Sequence, residues 1–428
     1  MREKDDRRVP RAAWLLATLA AAGAMGIASI ASAGDRDREQ AGTMAASIES
    51  TPSTDTGGAS VSPALITTPM VVVGVNDLGM HCMQQDFSEM MILPPFNTLR
   101  AQVIRRGLEP SIRTSGITVS YYLPTNTHGA DKTNFWRYAQ QLLGAAVPPD
   151  TGVTGTRMSG TMSLTGNGDW HAVGIPVIPV DDNGRDNPYP LATITVKNTS
   201  GVIQAQTQAV VPVSWEMACN ICHNTPGIST ATDILRAHDR LHGTTLEAQK
   251  PVLCAACHSD NALGLPGQPG IKSMSAAMHG AHAPRMATAG LTNECYACHP
   301  GIRTDCLRDV HAARGMNCKD CHQGMAEVGN PARNPWVDLP RCDNCHHVAG
   351  HAYEQPGKLF KESYGHKGVQ CVTCHSSPHS ITPATTALDN LQSIRLQGAA
   401  GPLASVSGSC SVCHISQPSD PFFHKFDN

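Results

Sequence analysis

Aromatic side chains are scarce in this chain: seven Phe, seven Tyr and five Trp make up 4% of 428 residues. A chain of this length ordinarily builds more than one domain, and rings supply much of the volume of ordinary cores. So few of them exclude a large core of usual composition. Charge is also thin, at 16% Asp, Glu, Lys and Arg with a net of -3. Residues 1–33 hold five bases (Arg2, Lys4, Arg7, Arg8, Arg11) against three acids (Glu3, Asp5, Asp6), so the chain without them stands at -3 minus 2, or -5. That balance lacks the basic footprint that nucleic acid requires. Beyond the N-terminal stretch no apolar run reaches about 18 residues, which leaves no candidate membrane span in the mature chain. What is abundant is Cys, at sixteen, and His, at twenty. Gly and Pro are raised too, at 38 and 30, which points to many turns.

The first 33 residues read as a secretory signal. A charged segment ends near Arg11, an apolar stretch runs from Ala12 to about Ile30, and Ala31-Ser32-Ala33 offers small residues before Gly34. No Cys near that point indicates a lipid anchor. Residues 34–65, rich in Ser, Thr, Gly, Ala and Asp without hydrophobic period, read as a disordered linker. The chain is therefore expected to be exported, to the periplasm, the cell surface or the medium.

Residues 66–215 have the pattern of strands. Runs such as Met70 to Val75, Ile117 to Tyr122, Ile175 to Val180, Leu191 to Val196 and Val202 to Val213 are rich in β-branched residues and are separated by Asn, Asp, Gly and Pro clusters. One helix is expected at Thr133 to Leu143, where Phe135, Trp136, Ala139, Leu142 and Leu143 share a face. The expectation is a small N-terminal β-sandwich.

From 216 to 428 the pattern changes to Cys-x-x-Cys-His, seven times over. The paired thiols are Cys219 and Cys222, Cys254 and Cys257, Cys295 and Cys298, Cys318 and Cys321, Cys342 and Cys345, Cys371 and Cys374, and Cys410 and Cys413. The histidines that follow are His223, His258, His299, His322, His346, His375 and His414. Two thiols at this spacing can add to the two vinyl groups of one haem, and the adjacent imidazole then sits beneath the iron as proximal ligand. Structural zinc is the rival reading, but zinc does not call for His immediately after every second Cys. Seven covalently attached c-type haems follow, in 213 residues of chain. At about 30 residues each, the polypeptide is too little to insulate one macrocycle from the next, and a haem-packed domain of short α-helices and loops is expected. Haem faces would then replace the missing rings.

Thirteen His remain for the other axial positions. His238 and His242 lie four apart on an apolar-faced helix over Thr232 to Gly243, and His279 and His282 lie three apart. His311 precedes Cys318 by seven residues, His366 precedes Cys371 by five, and His379 follows His375 by four. These seven are the distal candidates; His347, His351, His424 and His81 stand in reserve. His128 and His171 read as ordinary turn or surface residues. With sixteen Met, one Met/His haem is a further arrangement. An iron with both axial positions filled by protein exchanges electrons and does little else, so no catalytic residue is assigned. A multihaem reductase would need an open or Lys-ligated iron, and no Cys-x-x-Cys-Lys variant occurs.

Two Cys are left over. Cys82 and Cys306 could be joined in a disulfide between the two parts of the chain, although pairing cannot be deduced from sequence. Cys306 also begins an overlapping Cys-x14-Cys-His with Cys321, against which the tighter Cys318 pairing is expected to win.

Several stretches carry a family likeness: Cys295 to Gly301, Cys306 to His311, Gly365 to Gly368, Cys374 to His379, and the approach to the last motif from Asp389 to Gly398. They resemble segments of the large multihaem c-type cytochromes of bacterial extracellular electron transfer, and within these the filament-forming OmcZ group, which includes a long Cys-x14-Cys-His site. The likeness covers residues 216–428. This sequence offers one attachment motif fewer than that relative and retains Cys318 inside the long spacing. The resemblance implies bis-His haems in a continuous stack that deliver electrons outside the cell, with redox proteins as donor and acceptor or an extracellular acceptor. In the filament form the partner would be a homopolymer.

Overall fold

The computed structural model describes residues 68–347, 353–403 and 409–419, all within one compact unit. The signal expected over 1–33, the linker expected over 34–65, and the reserve ligands His351 and His424 lie outside the described residues. The described part mixes strands arranged in several small sheets with few helices.

The first nine strands are β1 (Met70–Asn76), β2 (His81–Cys82), β3 (Met90–Met91), β4 (Thr98–Arg105), β5 (Ser111–Ile112), β6 (Ile117–Tyr122), β7 (Ser159–Thr161), β8 (Ser163–Leu164) and β9 (Trp170–Val173). After them come β10 (Leu191–Asn198), β11 (Ile203–Val210) and β12 (Val213–Ser214). One sheet runs β1-β4-β9-β8, with β5 also paired to β4, and a second runs β11-β10-β6-β7. Their facing residues share one core, with Val72, Leu99, Ala101 and Val103 from the first sheet and Val119, Tyr121, Ile194 and Val196 from the second. The helix α1 (Phe135–Leu143) packs Phe135, Ala139 and Leu142 into the same core and ends at Gly144, whose φ of 72° closes the left-handed cap. Gly74 lets β1 approach the second sheet: a Cβ there would collide with Ile194 and stand 3.0 Å from the Ala209 Cβ.

Side chains alternate across a strand, so β1 and β4 have a second face. It is buried as well. Val71 and Val73 meet Val412, Leu396, Leu403 and Cys413 from the far end of the chain. On β4, Arg100 and Gln102 point the same way, only 3% and 2% exposed. The Gln102 side chain accepts from the Gln370 backbone N–H at 3.0 Å and the Thr373 hydroxyl at 2.8 Å, and donates to the Gly368 carbonyl at 3.0 Å. Arg100 donates to the Lys361 carbonyl at 2.7 Å and pairs with Asp169. The first sheet is thus a platform for the sixth and seventh Cys-x-x-Cys-His segments.

One strand expectation needs correction. Ile175 to Pro179 is buried, and Ile175 to Val180 forms no strand. Pro176 and Pro179 lack the N–H that a ladder needs, and the Ile178 and Val180 carbonyls are instead satisfied by the Asn126 side chain at 2.6 and 3.1 Å. In contrast, β4 was not anticipated, because Arg100, Gln102 and Arg105 break its apolar character.

The Cys-rich part carries three short strands, β13 (Val252–Leu253), β14 (Tyr364–Gly365) and β15 (Val369–Gln370), and six helices, α2 (Thr230–His242), α3 (Met274–Met286), α4 (Cys318–His322), α5 (Met325–Val328), α6 (Cys371–His375) and α7 (Ala387–Gln397), joined by loops and 3-10 turns. On α2, which begins at Thr230, two residues before the expected start, the Ser229 hydroxyl caps the Thr232 N–H and Gly243 supplies the C-cap. Gln392 on α7 pairs with Gly74 like a neighbouring peptide unit, accepting from its N–H and donating to its carbonyl, both at 2.9 Å, which covers the β1 edge. Among the described residues no helix is long and apolar enough to cross a membrane.

Candidate functional site

Each Cys-x-x-Cys-His segment folds as a single helical turn. α4 and α6 are two of them, and the other five contain 3-10 turns. In those five the His N–H donates to the carbonyl of the first Cys, at 2.9 Å for His223, 3.1 Å for His258, 2.9 Å for His299, 2.9 Å for His346 and 2.8 Å for His414. One turn brings positions i, i+3 and i+4 to one side, which gathers two thiols and an imidazole around a single ligand.

Among the described residues, His223, His258, His299, His322, His346 and His414 each face a second imidazole. The ring centres stand 6.4 Å apart for His223 and His282, 6.3 Å for His258 and His238, and 6.0 Å for His299 and His279. They stand 5.9 Å apart for His322 and His379, 6.1 Å for His346 and His311, and 6.1 Å for His414 and His366. Two imidazoles on opposite sides of one iron, with bonds of about 2.0–2.1 Å and about 1.1 Å from nitrogen to ring centre, stand about 6.2–6.4 Å apart. The six spacings fit that requirement to within about 0.3 Å.

The outer ring nitrogens strengthen the fit. Nδ1 donates to a backbone carbonyl in His258 (Lys272, 2.8 Å), His279 (Ser275, 2.8 Å), His282 (Met278, 2.6 Å) and His414 (Leu108, 3.0 Å). His311 Nδ1 lies 3.1 Å from the Asp309 carboxylate, and His238 Nδ1 lies 2.9 Å from the Thr244 hydroxyl. A carbonyl only accepts, so these bonds place the proton on Nδ1 and make Nε2 the nitrogen able to ligate. Burial pushes the His299 and His379 imidazoles down to about 4, so both are neutral, the ligating form, at physiological pH.

Neighbours in sequence are not partners in space. His311 lies beside the fourth motif but faces His346 of the fifth, His366 lies beside the sixth but faces His414 of the seventh, and His379 follows the sixth but faces His322 of the fourth. His242 faces no motif histidine among the described residues; its ring lies 4.7 Å from that of His238. His81 sits on β2 with Nε2 3.2 Å from Asp77 and its ring 6.0 Å from Phe96. His171 bonds Asp169, and His128 lies near Asp131 and Asp182. The sequence reading missed the outer partners. Only Asp309, two residues before His311, left a local trace; the Leu108 and Lys272 carbonyls have no side-chain signature.

Thiols of different motifs lie near one another: Cys298 of the third motif lies by Cys219 and Cys222 of the first, and Cys295 by Cys318 of the fourth. Cys321 likewise neighbours Cys345 of the fifth, Cys342 neighbours Cys371 of the sixth, and Cys374 neighbours Cys413 of the seventh. His279 and His282, serving the third and first, share α3. The second motif joins through α2, which carries His238 and whose Asp233 accepts from the Thr225 N–H, two residues after His223.

Among the described residues no group of three or more His, Cys, Asp or Glu side chains converges as a bare metal-ion site; the recurring unit is the imidazole pair with two thiols beside it. No family model matches the chain, and no curated protein does.

Proposed function

We propose that this protein is an exported heptahaem c-type cytochrome that carries electrons along one row of closely spaced, mostly bis-His haems. The observation that carries the reading is the set of six facing imidazole pairs, each with one member in a Cys-x-x-Cys-His turn. Bound haem supplies one-electron exchange at iron. The chain's own part would be to present two thiols per turn for attachment, to hold the haem iron between facing imidazoles, and to fix those rings through Nδ1. The two sheets that share a core act as a β-sandwich on which the later turns are mounted. Redox proteins or an extracellular acceptor are the partners.

The test is optical and electron-paramagnetic spectroscopy of the oxidised protein with haem counted by mass. Seven attached haems, low-spin and indifferent to cyanide and carbon monoxide, are expected. A haem that binds either ligand would favour a reductase instead, and a mass without haem would end the reading. Negative-stain microscopy of the same sample separates monomers from a homopolymer.

A further inference from the structure

Cys82 and Cys306 are the only cysteines outside the seven motifs, and the fold brings their segments together from opposite parts of the chain. Cys82 on β2 is the register partner of Ser214 on β12. Side chains of register partners project to the same side of a sheet, and the Ser214 hydroxyl on that side lies 2.9 Å from the Thr304 hydroxyl, two residues before Cys306. The neighbouring Glu216 carboxylate accepts from the backbone N–H groups of Ile302, Arg303 and Thr304 at 2.8 to 3.1 Å, which pins the approach to Cys306.

The other side of the contact is fixed as firmly. Arg308, 1% exposed, donates to the Gly79 carbonyl at 2.7 Å and to the Cys306 carbonyl at 3.3 Å, and so spans the two segments. Cys306 Sγ lies 3.7 Å from His379 Nδ1, and that same ring packs on Gly79, three residues before Cys82. Both cysteines are thiols in the structure, near enough for the charge of one to act on the other.

We propose that Cys82 and Cys306 are joined by a disulfide that ties β2 to the 301–309 segment behind His379. The bond forms by exchange with the disulfide of an external thiol oxidoreductase, as the export signal allows. One cysteine thiolate attacks that disulfide to give a mixed disulfide, and the second displaces it. The S–S bond of the oxidoreductase breaks, the Cys82–Cys306 bond forms, and the two thiol protons and two electrons pass to the oxidoreductase, which leaves as a dithiol. The proposal stands apart from the haem reading.

The experiment is mass spectrometry of the exported full chain, denatured and alkylated without reductant, then digested. A linked pair of peptides holding Cys82 and Cys306 is expected, about 2 Da lighter than the two thiol peptides together and separated by reductant. Alkylated Cys82 or Cys306 before reduction would overturn it, as would haem on Cys306, the outcome if Cys306-x14-Cys321-His322 were the attachment site. The motif peptides report haem independently, so a linked chain without haem refutes the cytochrome reading alone.

Discussion

Gly79 lies flat against the imidazole of His379: a Cβ at Gly79 would collide with the ring, standing 2.5 Å from both Cβ and Cγ. The same imidazole faces His322 at 5.9 Å. Gly79→Ala is therefore expected to displace His379 and, in the proposed cytochrome, to disturb one of the seven haem sites. The paramagnetic spectrum should lose one low-spin species while far-ultraviolet circular dichroism stays unchanged. An unaltered low-spin count would show that His379 does not close the fourth site.

His282 and His242 were equal candidates by sequence, yet only His282 faces a motif histidine, His223 at 6.4 Å. His282→Ala should yield one cyanide-binding high-spin haem, and His242→Ala none. Cyanide titration followed in the visible spectrum compares the two directly, and equal responses would sink the assignment.

Arg100 and Asp169 form a buried pair, with 4% and 0% of their side chains exposed and a closest approach of 2.7 Å. Burial works to raise the Asp169 carboxyl, but the hydrogen bond from His171 and the charge of Arg100 outweigh it and hold the group below its usual value of 3.8. A folded-state value below the unfolded one adds stability above the unfolded value, lost as pH falls through the folded one. Denaturant resistance is thus expected to decline below about pH 4. Asp169→Asn leaves Arg100 uncompensated and should cost about 3–5 kcal/mol, read as a lower urea midpoint at neutral pH, with a weaker acid dependence than the parent.

Gln102 is the joint between β4 and the sixth motif, with three hydrogen bonds to Gly368, Gln370 and Thr373. Gln102→Ala strands buried partners and should cost about 1–3 kcal/mol. The loss should appear in thermal melting with the haem count intact; an unchanged melting temperature would mean that the sheet does not support that turn.

Each haem adds two propionates to a chain already at -5 without its signal, which makes an acidic surface in the proposed holoprotein. Electron exchange with a basic soluble partner should slow as ionic strength rises, because charge steering is screened beyond about 10 Å at 0.1 M salt. Stopped-flow rates that ignore salt would contradict it.

Short-range signals in the sequence carried the attachment turns, since Cys-x-x-Cys-His is local and its turn closes on itself. They also carried α2, whose closing Gly243 is written beside it. Pairing was illegible: His379 follows the sixth motif by four residues yet faces the fourth, because the 308–310 segment runs alongside 379–381, with Arg308 donating to His379 and Val310 to Ile381 at 2.9 and 3.0 Å. Strand β4 was hidden for a related reason. Its Arg100 and Gln102 looked solvent-facing until a second layer covered them, and only tertiary structure makes a polar residue a buried one.

The β1 strand has both faces covered, one by the sheet core and the other by Val412 of the last turn. Synthesis runs from the N-terminus, so Val71 and Val73 must wait for nearly the entire polypeptide before their outer surface leaves water. Burial of the first strand is thereby completed only by the last Cys-x-x-Cys-His turn, and a chain truncated before Val412 would present a partly uncovered apolar ribbon.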